Sequence, residues 1–147
     1  MNILIIDGQG GGVGRQLIEK IKKIFPEDTI TAVGTNAIAA QTMLKAGADR
    51  SATGENAVVV GCRKADIIIG PVGIAIADSL WGEITPKMAI AVAQSDAMRI
   101  LLPMNLCDNF VVGTKNATVS QMVEEVLEKI HQLKADMDRK HKNCYTM

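Results

Sequence analysis

Between Asn2 and Ile18 the chain reads NILIIDGQGGGVGRQLI: an apolar run, a glycine-rich break and the start of a second apolar pattern. Ile3, Leu4, Ile5 and Ile6 make a run of the length that suits a short buried strand. After the break, Leu17, Ile18, Ile21, Ile24 and Phe25 recur at helical spacing. A strand that leads through a glycine loop straight into a helix is the half-unit of a parallel, nucleotide-binding type of sheet, so few other folds stay open. The loop carries glycine at 8, 10, 11, 12 and 14. A sharp exit from a strand needs positive φ, where glycine is cheapest, but a bare turn needs only one or two. The surplus implies backbone that something must approach closely. The helix behind it would offer unpaired N–H groups and the positive end of its dipole to an anion. The expected phosphate contacts are therefore Gly8, Gly10, Gly11, Gly12, Val13 and Gly14.

The spacing is not GxGxxG, because the third glycine would fall on Val13. Gly8, Gly12 and Gly14 give GxxxGxG, which resembles the loop of short-chain dehydrogenases. Gly8, Gly11 and Gly14 give GxxGxxG, similar to their atypical relatives. Those enzymes act through a tyrosine and a lysine four residues later. Here the single tyrosine is Tyr145, the third residue from the end, so the nicotinamide chemistry does not carry over.

Further along, the pattern predicts a helix over 13–25 stopped at Pro26, a strand over 29–33, a helix over 37–44 and a buried strand over 66–70. Residues 51–56 read as a loop. Residues 57–64 are apolar enough for a strand, but their place just before 66–70 argues for a short helix. A helix is expected to begin over 74–80, and Thr85 with Pro86 marks the start of another, to about residue 93. Strands follow at 99–102 and 109–112. Residues 118–137 form the longest helix, with Thr118 and Gln121 placed as a capping box, and 138–147 read as a disordered tail. This alternation predicts one α/β domain over 1–147: a three-layer Rossmann-like sandwich with a doubly wound, mostly parallel sheet of about five strands.

In such sheets ligands sit outside the carboxyl ends of the strands. The loops there are 7–14, 34–36, 70–73, 103–105 and 113–115, which adds Thr35, Asn36, Gly70 and Pro71 to the candidate ligand contacts. At the end of the second strand NAD is usually met by Asp or Glu, and NADP by Arg. Thr35 and Asn36 are uncharged, so the cofactor stays unknown, with NAD(P) as one nucleotide among several.

Sixteen basic residues balance sixteen acidic ones, and aromatics are 3% of the chain, which argues against nucleic acid and anionic membrane as partners. No apolar run is long enough to span a bilayer and no secretory leader pattern is seen. Cys62, Cys107 and Cys144 are widely spaced, without CxxC, and read as reduced thiols of a cytoplasmic protein. No His/Cys/Asp group has metal-ligand spacing, and His131 and His141 fall on the last helix or its tail. Catalytic residues stay unknown. The candidates for acid–base work are carboxylates. Asp7 is expected to bond loop N–H groups and Glu55 to start a helix, while Asp78 and Glu83 flank Trp81 in a lid-like connection.

Over its length the chain resembles a family of small bacterial proteins known as a domain of unknown function. The segments that carry the likeness are IDGQGGGVG, GTNAIA, KAGADRSATGENAVVV, ADIIIGPVGI and GEITPKMA. The resemblance implies a Rossmann-like fold in an anaerobe-type cytoplasm, makes 34–36 and 53–56 part of the family's pattern, and supplies no activity. The leading expectation is a module that binds a nucleotide or another phosphate-bearing small molecule. The alternatives are a small enzyme using Glu55 or Asp78 on an anionic substrate, and a structural or regulatory homo-oligomer without ligand. The apolar stripe of the last helix, ending at Leu133 and Met137, predicts a homodimer.

Overall fold

The computed structural model describes residues 1–104 and 108–144, with side chains to residue 140. Strand β1, Asn2–Asp7, begins the chain, and its Ile3, Leu4, Ile5 and Ile6 are all at most 1% exposed. A strand covered on both faces needs apolar residues at every position, hence a run and not an alternation. The elements then follow as α1 Gly12–Ile24, β2 Thr29–Gly34, α2 Ala37–Lys45, β3 Arg50–Thr53, α3 Glu55–Lys64, β4 Ile67–Pro71, a 3₁₀ turn Val72–Ala75, α4 Pro86–Gln94, β5 Met98–Leu102 and α5 Val119–Cys144.

The five strands are all parallel, in the order β3-β2-β1-β4-β5. Ile5 lies beside Ala32 on one side and Ile69 on the other. Side chains alternate between faces along each strand, so Leu4 and Ile6 share one face and Ile3, Ile5 and Asp7 the other. Leu4, Ile6, Val33 and Ile68 pack with Val58 and Cys62 of α3 and with Met88, Ala89 and Val92 of α4. Helices α1 and α2 pack on each other and cover the opposite face. The result is the expected three-layer Rossmann-like sandwich. Residues 57–64 are helical, within α3.

Three expectations within residues 1–116 are corrected. Residues 50–53, read as part of a loop, form edge strand β3, paired to β2 from Thr31–Arg50 to Gly34–Thr53. Backbone pairing makes this strand. Its side chains are mostly exposed and polar, so no periodicity announces it. Residues 109–112 are not a strand: Phe110 and Val112 are 88% and 85% exposed. Residues 74–80 are not a helix either. Ile74 and Leu80 enter one core cluster, although positions six apart stand about 120° apart around a helix. The chain turns instead, with positive φ at Asp78 (64°), Leu80 (54°), Trp81 (55°) and Gly82 (79°). Asp78 N–H donates to Ile84 O (2.8 Å), which closes the loop.

The chain divides into two compact units, Met1–Asn116 and Ala117–Met147. In the second, the capping box forms as expected: Thr118 N–H donates to Gln121 Oε1 (2.8 Å), and Gln121 N–H to Thr118 Oγ1 (3.2 Å). Val123, Val126, Leu127 and Ile130 are buried, and Met137 is 42% exposed. The helix continues to Cys144, so residues 138–144 are helical where a disordered tail was expected. Residues 145–147, with Tyr145, and residues 105–107, with Asn105 and Cys107, lie outside the described residues. Among the described residues, no helix is long and apolar enough to cross a membrane.

Candidate ligand site at the carboxyl ends of the strands

The chain leaves β1 to build β2 and β3 on one side, then returns to build β4 and β5 on the other. The carboxyl ends of β1 and β4 thus flank the switch point, where an open parallel sheet forms its ligand crevice. The glycine loop leaves β1 there.

Two carboxylates organise the loop. Asp7 is only 4% exposed and sits beneath it. Its Oδ1 accepts Gly8 N–H (2.8 Å) and its Oδ2 accepts Gly14 N–H (2.8 Å). No side chain at the N-cap, Gly11, serves the start of α1. Asp7 does that work from the strand, as the sequence led us to expect. Burial pushes the Asp7 carboxyl above its ordinary value, aided by the nearby charge of Glu83 and opposed by the N–H groups of Gly14, Gly8 and Val13.

Glu83 comes down from above, out of the left-handed turn that follows β4. Its Oε2 accepts Gln9 N–H (3.1 Å) and the Thr35 hydroxyl, and its Oε1 accepts Asn36 Nδ2 (3.2 Å). Gly8 makes room for it. A Cβ there would lie 2.7 Å from Glu83 Oε2 and 2.8 Å from Thr35 Oγ1. Burial alone would raise the Glu83 carboxyl, but the bonds from Thr35, Gln9 N–H and Asn36 outweigh it and hold the group below its ordinary value. The stability it contributes is therefore present above the ordinary carboxylate range and is lost as pH falls through the lowered value. Asp7 has the opposite sign, since its raised value favours the fold as pH falls. Urea melts should show wild type more stable than Glu83→Gln at neutral pH, with the gap closing on acidification. A gap independent of pH would contradict these bonds.

Seven of the expected contact residues fall into three groups. Gly10 and Gly12 face open space, with nothing within 4 Å of an added Cβ. Among the described residues their N–H groups also have no protein acceptor. Gly11, Gly14 and Gly70 serve packing. Their missing Cβ atoms would meet, respectively, the Ala39 backbone (2.9 Å), the Met43 side chain and the Ile6 carbonyl. Thr35 and Asn36 form the third group and are already engaged. Asn36 Oδ1 caps α2 through Ala39 N–H (2.8 Å), and its Nδ2 also donates to Gln9 O (2.9 Å). They were expected as ligand contacts; in the structure they hold Glu83. Val13 is half-buried at the first turn of α1, and Pro71 ends β4.

Glu83 lies 48 residues from Thr35 and 74 from Gln9 in the chain, so no local motif could reveal this meeting. The other carboxylates lie elsewhere. Glu55 starts α3 and accepts the Thr85 hydroxyl (2.6 Å), tying α3 to the N-cap of α4. Asp78 is exposed in the left-handed turn beside Trp81, itself 93% exposed. Residues 113–115 do not follow a strand. A groove of about 500 Å³ between α3 and α4 is lined by Cys62, Arg63, Lys87 and Gln94, and by Asp96 and Ala97 just before β5. It therefore opens toward the amino ends of the strands. Burial pushes the Cys62 thiol up to about 11, which keeps it protonated and inert.

A five-stranded parallel sheet in this order, with helices on both faces and a glycine turn at the switch point, defines a Rossmann-like α/β protein. The chain belongs to the family described as Domain of unknown function (DUF3842), whose match covers residues 2–135. No curated protein and no solved structure matches it.

Proposed function

We propose that this protein binds a nucleotide, or another small molecule bearing a phosphate, over the glycine loop. The observation that carries the reading is the pair of N–H groups at Gly10 and Gly12. They have no protein acceptor among the described residues, no Cβ shields them, and Gly12 opens α1 while Gly10 directly precedes its N-cap, at the end where the helix dipole favours an anion. Asp7 and Glu83 pin the rest of the loop, so the donors are held in place before a ligand arrives. The phosphate lies over the Gly10 and Gly12 N–H groups and the sugar beside the Thr35–Asn36 corner.

A melting screen against NAD, NADP, ATP, coenzyme A and sugar phosphates tests this. A ligand at a hundred times its dissociation constant adds about 2.7 kcal/mol, or roughly 5–10 °C for a domain of this size. A melt left unmoved by all of them would remove the reading's support. The reading fits a reduced bacterial cytoplasm, in keeping with the free thiol of Cys62.

The protein is also proposed to be a homodimer through α5. Its buried stripe ends at Ile130, while Leu133 is half-buried and Met137 open at the same helical spacing. A second copy of this face is the simplest cover. Sedimentation at micromolar concentration should find a dimer, and Leu133→Asp with Met137→Asp a folded monomer. A wild-type monomer would sink the idea.

A further inference from the structure

We infer that the Glu83 carboxylate is the group that receives the ribose hydroxyls of the ligand and turns away a ligand phosphorylated there. This rests on the nucleotide reading above and assigns to Glu83 the position that Thr35 and Asn36 leave unfilled. In dinucleotide-binding sheets an acidic residue at the end of the second strand accepts the ribose hydroxyls. This chain has Gly34, Thr35 and Asn36 there, and none is charged. The structure brings a carboxylate to the same corner from another loop. Glu83 lies against Gly8 at the end of β1 and is held by Thr35 and Asn36 at the end of β2.

Three features suit it to that task. It is oriented before binding by donors from two elements, the Gln9 N–H and the Thr35 and Asn36 side chains. It keeps acceptor capacity, mainly at Oε1: Oε2 takes the Gln9 N–H, the Thr35 hydroxyl and, at 3.5 Å, the Asn36 amide, whereas Oε1 takes that amide alone among the described residues, at 3.2 Å, and a carboxylate has about four lone-pair positions. Its backbone is held in place at a cost. Asp78, Leu80 and Trp81 all have positive φ within the five residues before it, and such strain persists where the surroundings over-determine a functional position. Leu80 and Ile84, fully buried on either side, anchor the turn.

The polarity of the loop then fixes the ligand's direction. The β1–β2 side presents a carboxylate, which accepts from hydroxyls and repels phosphate. The α1 side presents the N–H groups of Gly10 and Gly12, which have no acceptor among the described residues and do the reverse. A nucleoside with a free ribose diol and a 5′-phosphate satisfies both ends. One carrying a 2′-phosphate would set a dianion against Glu83.

Calorimetric titration of wild type and Glu83→Gln with ADP, 2′-deoxy-ADP and adenosine 2′,5′-bisphosphate tests the assignment. Wild type should bind ADP about tenfold more tightly than either analogue, the range of one hydrogen bond to a charged group. In Glu83→Gln the preference should fall to near unity, with ADP itself weakened. Thr35→Val, which keeps the carboxylate and removes one anchor, should weaken ADP less and retain part of the preference. If Glu83→Gln binds ADP as well as wild type or better, the carboxylate is an internal occupant of an anion site and the assignment is overturned. An unchanged preference for the diol in that variant overturns it too. If wild type binds none of the three, the assignment falls, and the wider melting screen then decides the reading beneath it.

Discussion

Gly11→Val is expected to destabilise the protein by more than about 3 kcal/mol, from two effects that add at one position. Gly11 has φ of 73°, a left-handed conformation that costs a residue with a Cβ roughly 1–2 kcal/mol and a β-branched one more. The new Cβ would also lie 2.9 Å from both Cα and O of Ala39. Those are backbone atoms in the first turn of α2, which cannot rotate aside as a side-chain tip can. Overpacking of this kind typically costs about 1–3 kcal/mol. Relief would require α2 to move from the loop, and Asn36, which caps α2, would take Gln9 and Glu83 with it. A melting temperature lowered by roughly 6–12 °C is the expected reading. A variant that melts within a degree or two of wild type would show that the approach of loop and α2 is looser than described.

One residue further on, Gly12→Val should do the opposite. An added Cβ at Gly12 meets nothing within 4 Å, and the residue opens α1, where valine is a better helix former than glycine. The fold and its circular-dichroism spectrum should be unchanged, with stability equal or slightly higher. The branched side chain would, however, stand where the phosphate approaches the Gly10 and Gly12 N–H groups. Loss of those contacts is worth about 2–3 kcal/mol, a fall in affinity of roughly 30- to 150-fold for whichever ligand the screen finds. Unchanged binding in a folded Gly12→Val protein would mean that the loop is only a turn. Two adjacent glycines with opposite outcomes separate the loop's packing role from its proposed binding role.

What could be read from the chain alone was whatever a local pattern carries. Ile3–Ile6 and Ile67–Ile69 declare strands buried on both faces, because parallel strands under helices admit no polar face. The spacing in 17–25 and 119–130 declares helices, and Thr85–Pro86 and Thr118–Gln121 declare their starts. The need for Asp7 to satisfy loop N–H groups was likewise legible, since a carboxylate buried beside a glycine loop has few other partners.

Tertiary structure decided what depends on partners distant in sequence. Edge strand β3 exists because β2 offers a free row of backbone groups to Arg50–Thr53, whose side chains hold no apolar signal. The left-handed turn through Asp78–Gly82 exists because Ile74, Leu80 and Ile84 must enter one core, a demand that overrides the local preference for helix. The same turn delivers Glu83 to Gly8, Thr35 and Asn36. Five glycines in the loop look alike in sequence, and only their neighbours sort them. The Ala39 backbone stands against Gly11 and Met43 against Gly14, while open space lies over Gly10 and Gly12. A chain states its own periodicity at short range, but the identity of a neighbour tens of residues away is fixed only when the sheet closes and the packing selects it.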